Sequence, residues 1–148
     1  MRFDAGTLLQ LLQIRNWLET AVIEEVVMKI GAPEIASMEK VIQTWHEGIM
    51  SGITDIRYHA EQDRQFHRAL YTTLHCETFI RFLEVFWIAL AEFVGNYRSE
   101  PMVALSDHAA ILNAVKARDP DLARETLVRN LRRNEQNIRL AMESAQAV

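Results

Sequence analysis

Asp63, His67, His108 and Asn130 each interrupt an apolar stripe that has helical spacing. Asp63 and His67 are four residues apart, so on a helix they stand one above the other. The face they share also carries Ile56, Ala60, Phe66, Leu70 and Leu74, which turns both ionisable groups inward. His108 lies in the series Leu105, His108, Ile111, Leu112, Val115, and Asn130 lies beside Leu127 and Leu131. Burying a polar group without a partner costs roughly a few kcal/mol. These four are therefore expected to satisfy one another, around a metal ion or a polar ligand.

The elements that must position them read as helices almost throughout. The first runs from about Ala5 to Ile30 and stops at Gly31, with Leu8, Leu11, Leu12, Leu18, Val22 and Val26 on one face. Pro33 opens a second, which ends near Gly48 to Gly52. A third spans about Asp55 to Leu74 with Thr54 as N-cap. The fourth, about Thr78 to Tyr97, carries Phe79, Phe82, Leu83, Phe86, Trp87, Leu90, Phe93 and Val94. That arc is too wide for one contact, so this helix is central or takes part in a dimer interface. A fifth starts after Pro101 or nearer Ser106 and ends near Ala117, and Asp119-Pro120 opens the last. The fold class is all-α, an antiparallel bundle of about six or seven helices, with residues 1–148 as a single domain.

Composition narrows the classes. The chain has 148 residues, 49% of them hydrophobic and 24% charged, enough for one core. One cysteine, Cys76, excludes a disulfide framework and suits the reducing cytoplasm. No apolar run approaches the ~20 residues of a membrane span, and Leu8 to Leu12 is too short for a signal peptide. A net charge of -4 argues against this chain gripping nucleic acid unaided. Arg129, Arg132, Arg133 and Arg139 read as a solvated helix face.

The run DRQFHRALY at 63–71, then DHAAILNAV at 107–115, then Asp119, Ala123 and the helix around Asn130, resembles the FCD domain. That is the effector-binding C-terminal domain of many GntR-type bacterial transcription regulators. Phe3 and the Arg15, Leu18, Glu19 pattern resemble its start, so the likeness covers nearly the whole chain. It implies a helical bundle, often a homodimer, that holds a divalent metal through an Asp and three His and binds a small carboxylate effector. Carried over, it makes Asp63, His67 and His108 ligands of a divalent ion such as zinc, nickel or manganese, with Asn130 or water completing the shell weakly. Two positions depart from the pattern. Asn130 stands where the third His is usual, and His75-Cys76 replaces a Gly-Asn turn. The winged helix-turn-helix of such regulators is absent from this chain, which is expected to be a piece of a longer regulator whose DNA contacts lie in that missing part.

Arg15 and Glu19 fall in the first helix stripe, either as an internal ion pair or with Arg15 clamping an effector carboxylate. Asn134, one turn beyond Asn130, would line the same cavity. His59, one turn before Asp63, is a substitute ligand or a rim residue. His46 and His75 read as surface, and Trp17, Trp45 and Trp87 as core. The rivals are a small metal-dependent hydrolase and a metal-free dimerisation or acyl-ligand module. A di-iron enzyme is disfavoured because no Glu-x-x-His pair supplies bridging carboxylates, and Cys76 has no adjacent base.

Overall fold

The protein is described here from a computed structural model covering residues 4–93 and 100–147. Six α-helices follow one another: α1 (Ala5–Lys29), α2 (Ala32–Met50), α3 (Ile56–Tyr71), α4 (Glu77–Glu92), α5 (Pro101–Lys116) and α6 (Pro120–Gln146). One 3-10 turn (Thr72–Leu74) prolongs α3. The all-α expectation holds. The expected fourth-helix end at Val94 and Tyr97 lies outside the described residues.

Local chemistry sets the boundaries. Asp4 caps α1 by accepting from the Thr7 amide, and Asp119 caps α6 by accepting from Leu122. Pro33, Pro101 and Pro120 stand in first turns, where a missing N–H costs nothing. Asp55, not Thr54, caps α3: its carboxylate accepts from the Arg57 amide at 2.9 Å. Two junctions use residues other than glycine in the left-handed region, His75 at φ 51 and Arg118 at φ 56. Arg118 offsets that conformation by donating to the Val27 carbonyl at 2.9 Å, which ties the end of α5 to the end of α1. His75 is exposed and has no such compensation.

The helices close into a ring. Long α1 packs on long α6, α6 on α5, α5 on α2, α2 on α3, α3 on α4, and α4 returns to α1. Short loops make α2–α3 and α5–α6 antiparallel hairpins. The α2–α3 approach is tight because Gly48 has no Cβ: the Tyr58 ring lies where one would be, and its hydroxyl donates to the Thr44 carbonyl. Leu8, Leu12, Ile23, Val26, Phe66, Leu70, Phe86, Leu90, Ile111, Val115, Leu127 and Ile138 fill the ring's interior. Core and polar cluster share that interior, so α3 and α5 aim Asp63, His67 and His108 inward with little freedom to swing.

The left-handed residue at the end of α3 gives a direct check. Replacing His75 by Gly should raise stability by about 1 kcal/mol, or about 3 °C in Tm, because only glycine adopts this backbone without steric cost. Arg118→Gly should bring no such gain, since the bond to Val27 is lost. Thermal unfolding of both variants tests this, and a destabilised His75→Gly contradicts it.

Candidate metal centre

Asp63 and His67 come from one face of α3 and His108 from α5. All three are buried, and one ligand atom from each lies within 4.8 Å of the others. Asp63 Oδ1 is 2.6 Å from His108 Nε2 and 3.3 Å from His67 Nε2. The second carboxylate oxygen accepts from the Trp87 indole N–H at 2.8 Å, which fixes the plane of the carboxylate.

The far sides of the imidazoles decide what the near sides can do. His67 Nδ1 is 2.7 Å from Glu19 Oε1, and His108 Nδ1 is 2.7 Å from the Ala104 carbonyl. Neither partner has a hydrogen to give at neutral pH, so both Nδ1 atoms donate. In the neutral rings each Nε2 then carries a lone pair, and both lone pairs face the same carboxylate oxygen. Two lone pairs and an anion in a buried space require a cation, which is either a proton on a ring or a metal ion. His67 Nε2 is buried without a hydrogen-bond partner among the described residues. Imidazoles whose outer N–H is held by a carboxylate or carbonyl are oriented as metal ligands are. The residues present fit a divalent metal.

Burial alone would raise the Asp63 carboxyl, but the close contact with His108 and the charges of His108 and His67 outweigh it and hold it well below the usual range. Burial would likewise raise Glu19, yet the charges of Arg15 and His67 lower it to about 2. His67 is driven down by burial and up, by more, through Glu19 and Asp63. Tyr71, beneath the same cluster, is raised first by burial and then by the Glu19 charge.

Beside the three residues lies a cavity of about 40 Å³, room for a water molecule or two. Asp63, His108, Asn130, Arg133, Asn134 and Asn137 line it, together with Trp45 and His59. Asn130 and Asn134 are therefore where the stripe placed them. His59 is not a spare ligand. Its Nδ1 accepts from the Trp45 indole at 2.9 Å, so its Nε2 carries the hydrogen and donates to the Ile53 carbonyl at 3.0 Å. Both nitrogens are committed. His46 and His75 are exposed.

Arg15 does not reach this cavity. Its Nε donates to Glu19 Oε2 at 2.8 Å, and its guanidinium lies 4.6 Å from the Phe86 ring centre and 4.3 Å from that of Trp87. The internal ion pair is thus the arrangement formed, and the expected direct clamp is not. The cation on the cavity wall is Arg133, whose Nε donates to Asp107 Oδ2. Sequence reasoning assigned Arg133 to a solvated face and Trp87 to plain core. A signal for the first was present: Asn130, Arg133, Asn134 and Asn137 recur at helical spacing on one face.

The FCD domain family model matches residues 10–133. The chain belongs to the FCD domain family. It is an effector-binding regulatory domain rather than an enzyme. Among solved structures, E. coli McbR/YncC is similar in fold at 18% identity and a TM-score of 0.79, over 97% of this chain and 68% of that one. A transcriptional regulator of the GntR family from Pseudomonas syringae pv. tomato str. DC3000 superposes at 18% identity and a TM-score of 0.72. That match covers 97% of this FCD chain and 60% of the other, so the chain spans about three fifths of that relative. No curated protein matches the sequence. Among the described residues of this FCD domain, no helix is long and apolar enough to cross a membrane.

The depressed Glu19 gives the sign of one pH effect. A carboxyl whose folded pKa is about 2 against an ordinary 4.5 contributes stability that is complete above about pH 4.5 and lost as pH falls towards 2. The amount is on the order of 3 kcal/mol. His67 runs the other way: its raised pKa adds stability below about pH 6.5 that disappears as pH rises through the folded value. In metal-free protein the Tm should therefore fall between pH 5 and pH 3 more steeply than in Glu19→Gln. Parallel acid limbs for parent and variant would exclude Glu19 as the buried anion responsible.

Proposed function

We propose that this FCD domain is the effector sensor of a GntR-type bacterial transcription regulator. In this reading Asp63, His67 and His108 hold one divalent ion, and a small organic acid binds beside it. The convergence of the Asp63 oxygen with two imidazole nitrogens, whose outer N–H groups are already committed, supports the reading most directly. Residues 1–148 would form a single cytoplasmic unit for ligand binding and dimerisation, with DNA bound through an N-terminal winged helix-turn-helix joined to it.

The roles follow from position. Asp63 supplies charge, with Trp87 holding its plane. Glu19 keeps His67 in the tautomer that presents Nε2, and Arg15 keeps Glu19 ionised. Arg133, rather than Arg15, faces an incoming carboxylate, while Asn134 and Asn137 offer amide groups to its polar substituents. When bound, the divalent ion supplies the positive charge that complements an anionic effector in a low-dielectric interior. A cavity of about 40 Å³ admits only the first atoms of such a ligand. Binding must therefore move α6 relative to α3 and α5, and that difference between two states is what a regulator can transmit.

Protein purified without added metal or a histidine tag should contain up to one equivalent of a divalent ion, reduced strongly in His108→Ala. In a thermal-shift screen of hydroxy acids, sugar acids and dicarboxylates, an effector at a hundredfold excess over Kd should stabilise by about 2.7 kcal/mol. Arg133→Ala should lose that shift while keeping its metal. Stoichiometry near zero that zinc, nickel and manganese do not restore sinks the metal. An undiminished acid shift in Arg133→Ala sinks the arginine's role.

A homodimer belongs to the same proposal. Trp17, expected in the core, instead stands exposed along α1 with Ile14 and Met28, and Phe82 and Ile88 are exposed along the adjacent α4. Trp17, Met28 and Phe82 are each more than 60% exposed, a larger apolar display than a soluble monomer usually carries. Light scattering should give twice the 17.1 kDa of one chain, and Trp17→Glu combined with Phe82→Glu should return it to the single mass. A parent that stays at one chain mass at high concentration refutes the dimer.

A further inference from the structure

Resting on that metal reading, we propose that Asn130 shifts this site from zinc and nickel towards harder ions, manganese(II) or iron(II), as a direct oxygen ligand. Three observations carry the inference. Asn130 Oδ1 is buried without a hydrogen-bond partner among the described residues, and Asn130 lines the same cavity as Asp63 and His108. No third imidazole is within reach to take its place: His59 has both nitrogens committed, and His46 and His75 are exposed. No thiolate is near either, since the lone Cys76 is exposed.

The donor set is then two imidazole nitrogens, one carboxylate oxygen and one amide oxygen. Imidazole-rich and thiolate sites suit zinc, nickel and copper, whereas carboxylate and carbonyl oxygens suit manganese and magnesium. Two histidines with one carboxylate and open positions is the pattern that holds iron(II). Such ions accept more than four ligands, so positions remain for an acid that chelates through two oxygens, such as a 2-hydroxy or 2-oxo acid. The amide wall of Asn134 and Asn137 complements that chemistry. Zinc still binds more tightly in absolute affinity, as it does at almost any nitrogen and oxygen site. The informative quantity is therefore the ratio of manganese to zinc affinity and how it moves.

The test titrates manganese and zinc, by competition calorimetry, into metal-stripped parent protein and into Asn130→Leu, Asn130→Asp and Asn130→His. Circular dichroism melting confirms that each variant folds. Asn130→Leu should weaken manganese at least about tenfold, and Asn130→Asp should restore it or bind more tightly, because it keeps the oxygen and adds charge. Asn130→His should move the zinc-to-manganese ratio towards zinc by at least about tenfold. Manganese EPR on the parent should show the free-ion signal lost on binding. If Asn130→Leu binds manganese like the parent, or Asn130→His strengthens both ions equally, the assignment of Asn130 is wrong while the three-residue site stands. If Asn130→Leu fails to fold, the Asp and His variants decide. Failure of every protein to bind either ion overturns the metal reading and this inference together.

Discussion

One buried charge imbalance organises the interior. Glu19 and Asp63 are both held ionised inside the ring of helices, while Arg15 is the one fully buried guanidinium among the described residues and pairs with Glu19. With neutral histidines the cluster carries one uncompensated negative charge in a medium that solvates charge poorly. A protein does not leave such a charge alone. Either a ring nitrogen takes up a proton, which is why His67 is pushed above its ordinary pKa, or a cation occupies the space between the two Nε2 atoms. The same imbalance that favours metal binding makes the metal-free protein sensitive to pH.

The ring of helices makes that imbalance tolerable. The cluster is assembled from four elements: Arg15 and Glu19 from α1, Asp63 and His67 from α3, Trp87 from α4, and His108 with the Ala104 carbonyl from α5. Cutting any one of these contacts leaves a charge buried without its partner, which costs more than the contact itself is worth. Arg15 illustrates the point. Laid between Phe86 and Trp87, it gains from two aromatic faces and from Glu19 at once, and it keeps Glu19 anionic so that His67 offers its inner nitrogen.

Much of the fold was legible because the chain marks its helix ends chemically. Gly31 with Pro33, and Asp119 with Pro120, punctuate the sequence so that α1, α2 and α6 begin and end within a residue or two of expectation. The inward placement of Asp63, His67, His108 and Asn130 followed from helical spacing alone. Periodicity, however, names the face of a helix and not the neighbour across from it. Hence Arg15 was as compatible with a ligand as with Glu19, and Trp87 looked like bulk when its N–H in fact holds the carboxylate. Arg133 was hidden for another reason. An arginine among arginines on a terminal helix resembles a solvated face, and only the fold shows Asn130, Arg133, Asn134 and Asn137 opposite α3 and α5. The left-handed His75 did leave a trace, since it stands where the family's turn has a glycine, and the backbone there keeps the glycine-like conformation.

The position of the polar strip on α6 bears on how a ligand would be felt elsewhere. On one side α6 meets the cavity and α5; on another it runs against α1, the longest contact in the bundle. A ligand larger than a water molecule or two would have to widen a cavity of about 40 Å³, to whose wall α6 contributes Asn130, Arg133, Asn134 and Asn137. Because close-packed helices shift as rigid bodies rather than deform locally, a displacement of α6 would be passed to α1. Helix α1 in turn carries Glu19 and Arg15 inward and Trp17 and Met28 outward. A movement of α1 therefore reaches both the tautomer of His67 and the exposed apolar stripe. The site and the surface proposed for dimerisation would thus be coupled through a single helix, with no longer pathway required.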